Sequence, residues 1–174
     1  MVTLKRIKEM FPELEEIKDR KLREQTAAVW KDAMEKGGWD DLRGVPFTLL
    51  INDLDEDLVE HTRRITRSTM MIADMRGDLR RDLVISGALL HDVGKALEYA
   101  SKDGQVVTSR NGKMLRHPVS GAALAYAHGL PEEVVHIIAA HSKEGDLVKR
   151  IPEAVLIFHC DFIDFEIAKS KRGM

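Results

Sequence analysis

Between positions 61 and 161 lie six residues of metal-binding type: His61, His91, Asp92, His117, His141 and Asp161. Imidazoles and carboxylates in combination bind divalent cations of borderline hardness. The adjacent pair His91-Asp92 is the anchor. It sits in Leu89-Leu90-His91-Asp92-Val93-Gly94-Lys95, where an apolar run leads into two ligand types and then a helix breaker. A buried imidazole beside a buried carboxylate is costly unless something offsets the desolvation. A divalent cation does so.

Helical spacing turns four of the six inward. Residues three and four apart share a helix face. Leu58, Ile65 and Ile72 share one with His61; Val84 and Ala88 share one with His91, continuing to Lys95. Val134, Ile137 and Ile138 lie beside His141, and Ile157, Phe158 and Phe165 beside Asp161. His117 precedes Pro118 and so stands at a helix N-terminus, from which a side chain can swing into a pocket. A lone histidine on an apolar face is usually a hydrogen-bonded core residue. An inward aspartate is harder to dismiss, because an unpaired buried carboxylate is expensive. No inward Arg or Lys is matched to Asp161. One shared metal centre accounts for all six together, although their spacing has no short zinc-finger grammar.

Positioning these groups requires helices, and helical periodicity dominates the chain. Residues 2–18 form one or two short helices interrupted near Pro12, and a helix over 20–36 ends at Gly37-Gly38. Residues 39–57 are irregular, with turn signals at Gly44, Pro46 and Asn52-Asp53; Phe47–Ile51 reads as a short strand or helical turn. Helices follow over 56–76 and 79–93. Residues 96–115 carry Lys102-Asp103-Gly104 and Arg110-Asn111-Gly112 and read as a loop or small hairpin. Further helices run from Pro118 to Gly129, from Pro131 to about Ser142, and from Pro152 to about Lys169. The expectation is an all-α, single compact bundle of seven or eight helices. Residues 1–55 read as an N-terminal helical accessory segment and 56–174 as the metal-binding domain.

Bulk properties narrow the function. The 174 residues suit one domain, and 44% hydrophobic content supplies a core. The charge nearly balances at -2, which argues against a nucleic-acid binder working through a basic surface. A single cysteine, Cys160, excludes an internal disulfide and fits a cytoplasmic protein. Residues 1–11 lack the apolar stretch of a signal peptide, and no run approaches a membrane span.

The ordered set His61…His91-Asp92…Asp161, with His91-Asp-Val-Gly-Lys95, resembles the signature of the HD-domain metal-dependent phosphohydrolase superfamily. His117-Pro-Val-Ser-Gly121 and His141 resemble the additional histidines of its two-metal branches. The resemblance spans about residues 56–170. It implies a helical bundle in which His61, His91, Asp92 and Asp161 bind one ion, while Asp92 bridges to a second held by His117 and His141. The ordering is most similar to small bacterial bis-nucleoside tetraphosphate hydrolases and to cyclic-nucleotide and cyclic-phosphate diesterases. Ala140 stands where HD-GYP proteins carry a paired histidine, and their Gly-Tyr-Pro element is absent, which argues against cyclic-di-GMP. The stringent-response type lacks the additional histidines present here.

The chemistry this implies is hydrolysis of a small phosphate ester or nucleotide by a metal-activated hydroxide, with no Ser or Cys nucleophile. Iron, manganese or zinc suits four imidazoles and two carboxylates better than magnesium. Lys95, one turn beyond His91, is expected to offer its ammonium to a phosphate oxygen. As a residue just past a helix end it is expected to bury little. Arg64, Arg110, Ser142 and Lys143 are candidate substrate contacts. His128, His136 and His159 point elsewhere, and Met70, Met71 and Met75 read as core filling. The alternatives are a di-iron oxygenase on the same helical core and a non-catalytic, metal-stabilised binding module.

Overall fold

A computed structural model describes residues 2–51 and 56–174. The Asn52-Asp53 turn signal lies outside them. Among the described residues the chain forms nine α-helices, two 3-10 turns and one two-stranded hairpin, an all-α architecture.

The first layer is α1 (Leu4–Met10), a 3-10 turn over Pro12–Glu16, and α2 (Arg20–Gly37). Asp19 caps α2 by accepting the Leu22 N–H at 2.9 Å, and Gly38 ends it with φ 75, a left-handed value that glycine adopts without strain. α3 (Leu58–Arg76) has the same design, with Asp57 accepting from the Glu60 N–H at 2.8 Å and Gly77 closing it. Residues 47–51 are neither strand nor helical turn. They cross as bends, flanked by a single bridge between Pro46 and Asp57.

The axis of the bundle is α4 (Arg81–Leu90). Every residue from Val84 to Leu90 is buried, as expected of a helix that is apolar on all sides. It packs against α2, α3, α8 (Glu132–Ala140) and α9 (Pro152–Ser170). Where one continuous helix to Val93 was expected, α4 stops at Leu90. Residues 91–94 then turn, and the chain resumes as α5 (Lys95–Glu98). The carbonyls that this break orphans are used: Leu89 O accepts from the Trp30 indole N–H at 2.9 Å, and Ala88 O accepts from His91 Nδ1 at 2.7 Å.

After α5, β1 (Tyr99–Lys102) pairs antiparallel with β2 (Gln105–Thr108). Asp103 and Gly104 turn the hairpin with φ 52 and 78, both positive, as a two-residue primed turn requires. The Arg110-Asn111-Gly112 signal is a short helix, α6 (Arg110–Met114), capped by Ser109, rather than a turn. α7 (His117–Ala127) carries Pro118 in its first turn. Gly94 decides where α7 lies. A Cβ there would stand 2.1 Å from His117 O, so only glycine lets the two turns approach and sets His117 beside Asp92. A second 3-10 turn covers Lys143–Leu147. No helix among the described residues is long and apolar enough to cross a membrane.

Candidate metal centre

Five elements deliver the six predicted ligands to one place. His61 comes from the buried face of α3, His91 and Asp92 from the turn after α4, and His117 from the first position of α7. His141 follows the end of α8 and Asp161 lies within α9. The four imidazoles are buried, and Asp92 is 1% exposed.

Each imidazole is oriented by an acceptor on its Nδ1. His91 and His141 use the same device, donating to the carbonyl three residues earlier, Ala88 and Ile138, at 2.7 Å each. His117 donates to Glu98 at 2.8 Å and His61 to Asp164 at 2.7 Å. Carbonyls and carboxylates accept only, so Nδ1 carries a proton in all four and every Nε2 faces inward.

Those Nε2 atoms surround the Asp92 carboxylate. His61 and His91 Nε2 each lie 3.4 Å from Asp92 Oδ2; His117 and His141 Nε2 lie 3.3 and 3.5 Å from Oδ1. Asp161 Oδ1 is 3.2 Å from His61 Nε2 and 3.9 Å from His91 Nε2. Donor atoms around a tetrahedral ion with bonds of about 2.1 Å stand about 3.4 Å apart, so this spacing fits ligation. Two triads result, His61-His91-Asp92 and Asp92-His117-His141, sharing the aspartate. Asp92 Oδ1 is buried without a hydrogen-bond partner. Buried oxygens in that condition need an explanation, and a cation among Oδ1 and the two Nε2 atoms provides one.

The charges agree. Burial pushes the Asp92 carboxyl up, but the Lys95 ammonium and the surrounding imidazoles hold it well below the usual range. Asp161 is likewise held down, its burial outweighed by His61 and His91. Burial also dominates His117 and keeps its pKa below the ordinary value, so its Nε2 offers a lone pair at neutral pH. His61 behaves differently. Burial opposes its proton, yet Asp161, Asp164 and Asp92 together lift it to about 10. An ion at that position would replace this proton.

Three groups that the sequence reading passed over complete the arrangement. Glu98 fixes His117 through both Nδ1 and the backbone N–H. Asp164 fixes His61 and is itself gripped by Arg64, with Nε–Oδ1 at 2.6 Å and Nη2–Oδ2 at 2.9 Å. Burial raises the Asp164 carboxyl, but His61 and Arg64 outweigh it and hold it near 2. Phe47 stacks flat on His61 at 4.3 Å between ring centres. Asp164 was legible, lying three residues after Asp161 on a shared helix face. Glu98 and Phe47 carried no comparable signal.

Lys95 corrects an expectation. It is buried, and its Nζ donates to Asp92 Oδ2 and to Phe47 O, both at 2.6 Å. It also lines a cleft of about 550 Å³ that opens onto Asp92, His117, His141 and Asp161. Ser142 and Lys143 line the same cleft, as does Arg116, which the sequence reading did not single out. Arg64 and Arg110 are not among its walls: Arg64 is turned to Asp164 and Glu56, and Arg110 is exposed at the start of α6. His128 pairs with Asp32, His136 accepts the Ile151 N–H, and His159 meets the Phe158 ring edge-on.

Comparison with known proteins gives the chain relatives. One curated relative, the dihydroneopterin 2',3'-cyclic phosphate phosphodiesterase of Methanocaldococcus jannaschii, is 31% identical over 118 residues, covering 63% of this chain and 47% of that protein. Ribonuclease Y of Acidothermus cellulolyticus is 35% identical over 103 residues, 58% of this chain and 18% of that protein. Ribonuclease Y of Thermobifida fusca is 29% identical over 151 residues, 83% of this chain and 27% of that protein. The chain thus spans less than half the length of these relatives. No solved structure matches it. The HD domain family model matches residues 58–165, from the start of α3 into α9 and across all six candidate ligand positions, and the chain belongs to that family.

Proposed function

We propose that this chain is a metal-dependent phosphohydrolase that cleaves a small phosphodiester or phosphomonoester by attack of water. The observation that carries the reading is the bare, buried Asp92 Oδ1 facing two imidazole Nε2 atoms, beside a second triad that shares the same carboxylate. Divalent iron, manganese or zinc suits this donor set. Such ions supply Lewis acidity to phosphate oxygens and a nucleophile from water near neutral pH.

The chain's own groups do the rest. Asp92 presents one oxygen to each triad, which sets the spacing of the two positions. Lys95 balances the Asp92 charge from the cleft side. Ser142, Lys143 and Arg116 line the same cleft, where a phosphate's outer oxygens would find donors. The cleft volume lies within the range of small-molecule sites, and the cyclic phosphate named for the Methanocaldococcus relative makes a cyclic phosphodiester the first substrate class to try.

Metal-free protein should be reloaded with iron, manganese or zinc, its ions counted by elemental analysis, and its hydrolysis of nucleotide monoesters and 2',3'-cyclic phosphates followed. Two ions per chain are expected. Asp92→Ala should lose both along with turnover, and His117→Ala should lose mainly one. Absence of phosphoester hydrolysis with every metal would sink the proposal.

A further inference from the structure

We propose that the metal cleft contains an aromatic subsite, built by Phe162 and Phe165 of α9, that stacks on a planar ring of the substrate. It selects phosphoesters bearing an aromatic base over the same ester without one. This deepens the phosphohydrolase reading and rests on it.

The placement follows from helix geometry. Asp161, Phe165 and Lys169 are spaced by four residues and lie on one stripe of α9, and all three line the cleft with Phe162. At 1.5 Å of rise per residue, Phe165 stands about 6 Å along the helix from Asp161. That is the scale of a furanose ring separating a phosphate from its base. A phosphate at the metal triads therefore brings an attached ring onto Phe165.

The exposure of these rings separates a binding wall from core filling. Phe11, which does fill the core, is 0% exposed. The inner face of α9 is already supplied by Ala154, Ile157, Cys160 and Ala168, all buried. Phe162 and Phe165 remain half-buried; Phe165 packs in part against the core, and both rings line the cleft. Leaving aromatic area in water beside a polar centre costs burial free energy that a stacked ring would recover. Both rings are held in place: Phe162 leans on Phe158 at 4.6 Å, and Lys169 Nζ sits 5.7 Å from the centre of Phe165. Leu49 and Leu50, also in the lining, extend the apolar side, while Arg116 and Lys143 supply positive charge for the phosphate. The cleft is thus divided into an anion-binding part and an aryl-binding part.

The reaction itself needs only water. In a 2',3'-cyclic phosphate, the water oxygen forms a bond to phosphorus, one ring P–O bond breaks, and the water proton goes to the departing ribose oxygen.

The test compares metal-loaded full chain acting on adenosine 2',3'-cyclic phosphate and on methyl riboside 2',3'-cyclic phosphate, which has the same reacting ring and no base. The wild type should favour the nucleoside by at least tenfold in kcat/KM. Phe165→Ala should reduce that ratio about tenfold, the loss expected of one base–aromatic stack, and Phe165→Tyr should restore it. Phe162→Ala, measured in parallel, should lower the ratio in the same direction. A second readout is independent of turnover: adenosine monophosphate should bind at least tenfold more tightly than ribose phosphate in calorimetry, and Phe165→Ala should abolish the difference. Hydrolysis of both esters with no preference in rate or binding would overturn the subsite and leave the hydrolase standing. Selective binding of adenosine monophosphate without turnover of either ester would uphold the subsite and overturn 2',3'-cyclic phosphates as the substrate class.

Discussion

Among single residues, Lys95 ties the candidate metal centre to the stability of the fold, because its ammonium lies against the buried Asp92 carboxylate. Read as a lysine beyond a helix end, it belonged to the surface. Because α4 breaks at Leu90 and resumes at Lys95, the side chain is folded inward onto Asp92 and Phe47 O. It is the cation that compensates a buried carboxylate. Burial opposes its charge, yet Asp92, Tyr99 and Asp161 together raise its pKa above the ordinary lysine value. Removing one partner of such a pair leaves the other uncompensated, at a cost of about 3 kcal/mol. Lys95→Met should therefore lower the melting temperature of the metal-free protein by about 10 °C. Excess manganese or zinc should restore much of that loss, since a cation at Asp92 offsets the same charge. Melting curves with and without metal decide it. A metal-free variant as stable as wild type would show that Asp92 does not depend on Lys95.

At the scale of elements, legibility tracked periodicity. His61, His91, His141 and Asp161 were visible because each continues an apolar face of its helix. Gly94 and Pro118 marked the turns that bring His91-Asp92 and His117 together. Residues that orient the ligands from behind were harder to see. Glu98 reaches His117 from a four-residue helix with no periodic signal, and Phe47 acts from bends that no pattern distinguishes. Inter-element ion pairs were also invisible, and one of them clamps the bundle. Arg80, at the start of α4, donates Nε and Nη2 to Glu153 of α9 at 2.9 and 3.1 Å, and Nη1 to Glu133 of α8 at 2.8 Å. Burial raises the Glu153 carboxyl, but Arg80 outweighs it and the folded pKa lies below the ordinary value. The sign follows: this contribution is complete above the unfolded carboxyl pKa of about 4.3. It is lost as pH falls through the lower folded value. Glu153→Gln should cost about 1.5 kcal/mol at pH 7 and should flatten the acid limb of the stability curve. Denaturant titrations at pH 7 and in the acid range test both parts; an unchanged acid limb would remove Glu153 from the account.

At the scale of the whole molecule, the family match and the hydrophobic core have different extents. The match begins at residue 58, where the helices that carry the candidate ligands begin. The core does not stop there: one cluster runs from Val2 and Ile7 through Trp30, Phe47 and Leu89 to Ala168. Phe11 stacks on Trp30 at 4.7 Å, and Trp30 donates to the carbonyl of Leu89, two residues before His91. The Trp39 indole N–H donates to Ala96 O at 2.9 Å, just after Lys95. Glu13 is buried against Arg63 and Arg67 of α3. Phe47 covers His61 and accepts from Lys95. The N-terminal segment thus supplies one wall of α4, two indole donors and one carbonyl acceptor around its broken end, and a cover over His61. A chain of residues 56–174 alone would expose the buried face of α4 and leave the Leu89 and Ala96 carbonyls without their indole donors. Large-to-small changes at single core sites already cost about 2–5 kcal/mol, and domains of this kind hold only about 5–15 kcal/mol in total. The 56–174 fragment should therefore show no cooperative thermal transition and should not retain metal through gel filtration, whereas the full chain should do both. A fragment that melts cooperatively and carries its full complement of ions would establish residues 1–55 as a dispensable appendage.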